Sequence, residues 1–194
     1  MSFLFRIWYN TLGIVSFVPI TEKGGRHVKK YAPNDKVIYG SNGVCTLTEI
    51  TQRDFGGQVR DYYVLRPDTL GTSVFYVPVD SPLSARIRPV KSASELQKLI
   101  AACKVSADEW ITDDRTRQLM MKQTVEEGDT PQLLRLFKLL RLQQIELQKL
   151  GKKLRAADDR FMRDIRTILT DELSLSVSMP KEEAAAYLLG ALEI

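Results

Sequence analysis

The sequence is poor in the side chains from which most catalytic centres are built. It has one histidine, His27, and two cysteines, Cys45 and Cys103. No Ser-His or Cys-His pair can be assembled in the part expected to fold. No cysteine or histidine set has metal-ligand spacing, and no glycine-rich loop is shaped to cradle a phosphate. Adjacent carboxylates such as Asp113-Asp114 and Asp158-Asp159 project about 100° apart on a helix, so they suit helix starts better than a shared acid-base site. An enzyme is therefore the weakest reading, and no metal or cofactor is expected. Two isolated cysteines also exclude a disulfide scaffold, and reduced, mostly buried thiols in a cytosolic protein are expected. Internal repeats and low-complexity tracts are missing. The formal net charge of +4 permits contact with an acidic polymer without demanding it.

A clean membrane-spanning run is lacking as well. Phe3 to Ile20 is apolar, but Asn10, Thr11, Gly13, Ser16 and Pro19 interrupt it. As a signal peptide it has a thin positive region and no small-x-small cleavage site. A third reading is that residues 1–27 are not translated in the cell. Lys23-Gly24-Gly25 is what a ribosome-binding purine run would encode, and Val28 fits a GTG start. Gene DNA without that run, or an endogenous protein beginning at Met1, would reject this. Residues 1–27 are expected to be an unstructured or mis-annotated extension.

What is present is ordinary globular composition, 44% hydrophobic and 27% charged. Between Asp35 and Val79, three runs rich in Val, Ile, Thr, Tyr and Leu are divided by Asn42-Gly43, Gly56-Gly57 and Asp68-Thr69-Leu70-Gly71. β-Branched and aromatic residues suit a pleated surface, and Gly or Asn supplies the positive φ of tight turns. Strands are expected at Asp35–Ser41, Val44–Gln52, Arg60–Arg66, Thr72–Val79 and Ala85–Val90. Five short strands at near-regular spacing suggest an SH3-like or Tudor-like antiparallel barrel over residues 28–90. Alternation along the second strand places Val44, Thr46, Thr48 and Ile50 on one face and Cys45, Leu47 and Glu49 on the other.

Residues 91–194 read as an all-α bundle, which makes the fold class α+β. Ser92-Ala-Ser-Glu95 is a capping box, and Ser106-Ala-Asp-Glu109 resembles a second one just before Trp110. Asp113–Glu126 is a helix stopped by Gly128. Asp129-Thr130-Pro131 opens what should be the longest helix, through Leu154. Asp158–Val177 and Pro180–Leu192 complete five amphipathic segments. Residues 28–90 carry 8 basic and 6 acidic side chains, and residues 91–194 carry 17 of each. Within the helical half, Thr130–Thr170 holds 10 basic against 4 acidic residues, a local basic surface.

The motif order Asn34-Asp35-Lys36-Val37-Ile38-Tyr39-Gly40, Asn42-Gly43-Val44, Tyr62-Tyr63-Val64-Leu65, Tyr76-Val77-Pro78-Val79 and Ile87-Arg88-Pro89-Val90 resembles the CarD family. It is similar to the RNA-polymerase-interacting module shared by CarD-like regulators and the bacterial transcription-repair coupling factor. The resemblance implies binding to the β subunit of bacterial RNA polymerase by strand-edge pairing and side-chain contacts, with Arg53, Tyr76 and Val74 at the interface. Tyr76 stands where some relatives have a second arginine. In the helical half the resemblance makes Trp110 a wedge against the upstream edge of the transcription bubble, entering from the minor groove. Arg115, Arg117 and Lys122 would hold phosphates.

Read without the resemblance, Trp110 is a helix-start residue packed on the bundle, Arg53 is a solvated hairpin charge, and Tyr62, Tyr63 and Phe75 belong to the core. Asp108, Glu109, Asp113 and Asp114 crowd Trp110, so DNA affinity is expected to be weak and dependent on docking elsewhere. The basic run Lys149, Lys152, Lys153, Arg155, Arg160, Arg163 and Arg166 is a rival DNA surface. The expected protein is a cytoplasmic monomer with no membrane contact. It stabilises open complexes without base readout, and the alternative is a protein-interaction scaffold with no nucleic-acid role.

Overall fold

The computed structural model describes residues 31–68 and 72–194, together with the backbone of Arg6–Tyr9 and Val15–Val18. The chain divides into two compact units, residues 1–30 and Tyr31–Ile194. In the first, β1 (Arg6–Tyr9) pairs antiparallel with β2 (Val15–Val18) in the register Arg6 to Val18 and Tyr9 to Val15. The rest of the expected N-terminal extension lies outside the described residues. Among the described residues no helix is long and apolar enough to cross a membrane.

The second unit opens with an antiparallel sheet of β3 (Lys36–Tyr39), β4 (Val44–Asp54), β5 (Val59–Pro67), β6 (Phe75–Pro78) and β7 (Ile87–Pro89). The strand order is β6-β5-β4-β3-β7. The class is therefore α+β, but the sheet is open rather than a closed barrel. Its two outer strands, β6 and β7, are four and three residues long and each ends in proline. Proline has no N–H to donate, which suits the end of an outer strand, and β6 and β7 lie at opposite edges of the sheet. A single-turn 3-10 helix over Pro82–Arg86 joins them.

A β-bulge between Leu47 and Glu49 corrects the alternation expected along β4. Leu47 opposes Leu65, yet Ile50 opposes Tyr63. Thr48 is the extra residue, and past it the strand turns over, so Ile50 joins the face of Leu47. That face is the sheet core of Val37, Cys45, Leu47, Tyr63, Leu65, Val77 and Ile87. Burial pushes the Cys45 thiol up to about 12 and raises that of Cys103 as well.

The sheet gives way to helices between Pro89 and Ala93, close to the boundary expected at residue 90. They are α1 (Ala93–Lys104), α2 (Asp114–Glu127), α3 (Thr130–Lys149), α4 (Ala156–Val177) and α5 (Lys181–Leu192). The Ser92–Glu95 capping box forms as expected. The second box does not. Ser106 Oγ donates to the carbonyl of Cys103 instead, and residues 105–113 run as a non-helical loop that carries Trp110. The true cap of α2 is Asp113, whose carboxylate accepts from Thr116 N at 2.8 Å. The longest helix is α4, at 22 residues against 20 for α3, because Gly151 at φ +67° ends the α3 path early.

Leu133, Phe137, Leu140, Ile165 and Leu188 are almost fully buried at the centre of the bundle. Each large apolar side chain removed from water stabilises the fold by roughly 1.5–3 kcal/mol, which outweighs small differences in helix propensity.

Sheet and bundle meet through backbone and through charge. A Cβ on Gly128 would lie 2.8 Å from Gly40 Cα, and one on Gly40 would lie 2.6 Å from Glu126 O, so only glycine fits at either place. Beside this contact, Glu172 of α4 is fully buried. Its carboxylate accepts from Arg88 Nη1 at 2.6 Å and Nη2 at 2.9 Å, from Lys91 N at 3.1 Å and from Thr130 Oγ1 at 3.1 Å. Arg88 Nε donates to Gly128 O at 2.8 Å. One carboxylate thus ties together β7, the linker and two helices.

Candidate functional site

The first surface lies at the β4–β5 hairpin. Arg53 and Arg60 are directly opposite in register, as are Thr51 and Tyr62, while Tyr76 opposes Val64. Residues two apart on a strand share a face, so Arg53, Arg60, Tyr62, Val64 and Tyr76 all project to one side, away from the sheet core. Phe55, at the hairpin tip, closes over this side. Its ring meets Tyr62 at 5.1 Å and Tyr76 at 5.6 Å between centroids, edge to face in both cases. Tyr62 is buried beneath, while Phe55 is 56% and Tyr76 41% exposed.

Arg53 and Tyr76, expected at an interface, thus stand on one exposed face. Val74 is half-buried just before β6, the outer strand, which has a partner on one side only among the described residues. Sequence reasoning missed Phe55 as a member of this surface. An aromatic immediately before Gly56-Gly57 in a hairpin tip was the available signal. Two arginines placed directly opposite each other repel, and the hairpin contains no carboxylate bridging them.

The second surface surrounds Trp110. The ring is half-buried, and one of its faces lies over the Arg117 guanidinium, 4.7 Å from Cζ to the ring centroid. Arg117, expected to hold a phosphate, is 2% exposed. Nε and Nη2 donate to the buried Asp158 carboxylate at 3.3 and 3.0 Å, and Nη2 also donates to Asp114 at 2.6 Å. Nη1 donates to the carbonyls of Ile111 and Thr112 at 2.8 and 3.4 Å. All five donors are used, so the expectation that Arg117 grips a phosphate is corrected. Arg115 and Lys122 are exposed on α2, and Lys122 approaches Glu126 at 3.9 Å. Neither lines the cavity at Trp110.

That cavity, about 340 Å³, is lined by Trp110, by Arg117 with its partners Asp114 and Asp158, and by the α3–α4 loop residues Lys152, Lys153 and Arg155. Three members of the basic run offered as a rival surface, Lys152, Lys153 and Arg155, are therefore brought to Trp110, whereas Arg163 and Arg166 line a different cavity, with Phe137 and Met162. The crowding carboxylates are largely spent within the protein. Asp108 pairs with Arg135, Asp114 with Arg117 and Arg155, and Asp113 caps α2. The hydrogen bond from Arg135 holds Asp108 below the usual carboxylate range, and hydrogen bonds from Thr116 do the same for Asp113. Glu109 is the exposed acid that remains in the loop.

No cluster of His, Cys, Asp and Glu able to hold a metal occurs among the described residues. Among curated proteins, none matches the chain. Residues 31–91 match the family model described as the CarD-like/TRCF RID domain. The matched span begins at Tyr31 and ends in the linker after β7, so it contains the whole five-stranded sheet and none of the helices. The open sheet that presents Arg53, Phe55 and Tyr76 thus matches the CarD-like/TRCF RID domain, an RNA-polymerase-interacting module.

Proposed function

We propose that the chain is a transcription regulator that docks on the β subunit of bacterial RNA polymerase and stabilises the open complex. The Arg53 and Tyr76 face, with the free side of β6, is the docking surface. Trp110, with Lys152, Lys153 and Arg155, then lies against upstream promoter DNA. The observation that carries this reading is the face itself. An arginine pair without a bridging carboxylate, beside two exposed aromatic rings, fits an acidic and partly apolar protein partner, and it lies inside the matched domain. An unpaired strand edge offers backbone groups to the same partner.

The DNA half of the reading is supported by an aromatic ring bordered by Lys152 and Lys153 on a loop, with Arg155 paired to Asp114 beside them. Cations near phosphates give affinity without sequence information, and an apolar ring can stand in for a lost stacking partner. Two lysines make a weak site alone. Docking through the sheet supplies the effective concentration that makes it sufficient.

The decisive test is binding of the full chain to the β-subunit lobe. Binding that Arg53→Ala weakens is expected, and no binding at roughly 50 µM would overturn the proposal.

A further inference from the structure

Every donor of the Arg117 guanidinium is spent on residues that frame Trp110, which is an unusual commitment for one buried cation. Two of its acceptors, the carbonyls of Ile111 and Thr112, are the backbone directly after Trp110 in the loop. A third is Asp158 on α4, itself buried. The edge of the planar group is therefore fixed by α4 and by the loop backbone, and its Cζ lies over the indole ring, 4.7 Å from the centroid. A loop of residues 105–113 has no helical hydrogen bonds to hold its side chains in place. The indole packs against the helical core, and a guanidinium with a fixed edge over its ring adds a second, directional hold.

We infer that Arg117 is a positioning residue: it acts through Trp110, clamping the indole at one orientation through a cation–π contact that Asp158 holds in place. The inference rests on the proposed DNA role of Trp110 for its functional consequence, but not for its structural one. Asp158 is a second member of the device, since it is the only acceptor on another helix. A lysine at 117 would keep the charge beside Asp158 and Asp114 but would lose the rigid fork of donors that ties Asp158, Asp114 and both loop carbonyls to one planar group. A purely electrostatic role for residue 117 is therefore rescued by lysine, and a positioning role is not.

Trp8 and Trp110 are the two tryptophans, so Trp8→Phe leaves Trp110 as the single reporter in the full chain. In that background Arg117→Lys is expected to raise acrylamide quenching of Trp110 about twofold and to lower its emission anisotropy. On promoter complexes it is expected to shorten open-complex lifetime about five-fold, the factor for about 1 kcal/mol, while affinity for the polymerase lobe is unchanged.

Quenching and anisotropy equal to the parent in a folded Arg117→Lys protein would overturn the inference. So would a loosened indole with an unchanged lifetime, if Trp110→Ala shortens that lifetime. If Trp110→Ala itself changes nothing, the DNA reading fails, and the positioning claim stands or falls on the fluorescence alone. Should Arg117→Lys not fold, Asp158→Asn, which keeps the size of the residue, decides by the same two measurements in the same directions.

Discussion

Replacing Glu172 by glutamine should weaken the whole Tyr31–Ile194 unit, not one helix. The side chain of Glu172 is 0% exposed and that of Arg88 is 17% exposed, with a bidentate contact of 2.6 and 2.9 Å between them. Removing one partner of a buried pair leaves the other charge uncompensated and costs about 3–5 kcal/mol. Glutamine retains one acceptor oxygen, and Arg88 keeps its bond to Gly128 O. The expected loss is therefore at the low end, about 3 kcal/mol, from a total that for most domains is about 5–15 kcal/mol.

In urea, where slopes run at about 1–3 kcal/mol/M, the midpoint should fall by about 1 M or more with the slope unchanged. Arg88→Met alone should weaken the fold by a similar amount. The double variant should lose about 2 kcal/mol less than the sum of the two, because neither charge is then stranded. A loss below about 0.5 kcal/mol for Glu172→Gln, or additivity of the pair within about 0.5 kcal/mol, would refute the clamp.

Other consequences can be checked separately. Tyr76→Ala should weaken binding to the polymerase lobe by about 1–2 kcal/mol in a titration, because its half-exposed ring would be fully covered at an interface. Lys152→Gln with Lys153→Gln should make the salt dependence of DNA retention shallower by about two counterions, read from the slope of log affinity on log salt, whereas Lys122→Gln should leave it unchanged. Both thiols should resist a colorimetric thiol reagent at neutral pH in the folded protein and react promptly in denaturant, since burial raises Cys45 to about 12 and Cys103 in the same direction. Asp108 has a folded pKa lowered by Arg135, so its contribution to stability is complete above the ordinary aspartate range and is lost as pH falls through the lowered value. Acid melts of Asp108→Asn should therefore show a smaller drop below about pH 4 than the parent.

Much of the architecture is written in local patterns. Runs of β-branched residues between glycine-containing turns mark β4 and β5, and the Ser92 box marks α1 because both partners are three residues apart. What escaped local reading depends on distant partners. Arg117 looks like any helix-surface arginine until Asp158, 41 residues further on, is folded beneath it. Glu172 reads as an ordinary helix charge, and its role appears only when β7 brings Arg88 across a separation of 84 residues.

The Ser106 box failed for a different reason. Its serine found a closer acceptor at the end of α1, and the capping of α2 passed to Asp113. The bulge at Thr48 inserts a single residue that no alternation pattern can reveal, and it inverts the second half of the longest strand. Motif order points to Arg53, Tyr76 and Trp110 as candidates, and their roles belong to the proposed function. The approach of Lys152 and Lys153 to Trp110 was not legible there, because it follows from how Gly151 turns the chain between α3 and α4.

The central claim is that a sheet anchored on polymerase holds Trp110 against promoter DNA. Its most direct test is the lifetime of a promoter open complex challenged with competitor DNA, measured with saturating parent protein and with saturating Trp110→Ala. A longer lifetime with the parent that Trp110→Ala abolishes, at equal occupancy of the polymerase lobe, is the predicted result. Equal lifetimes at equal occupancy would contradict it.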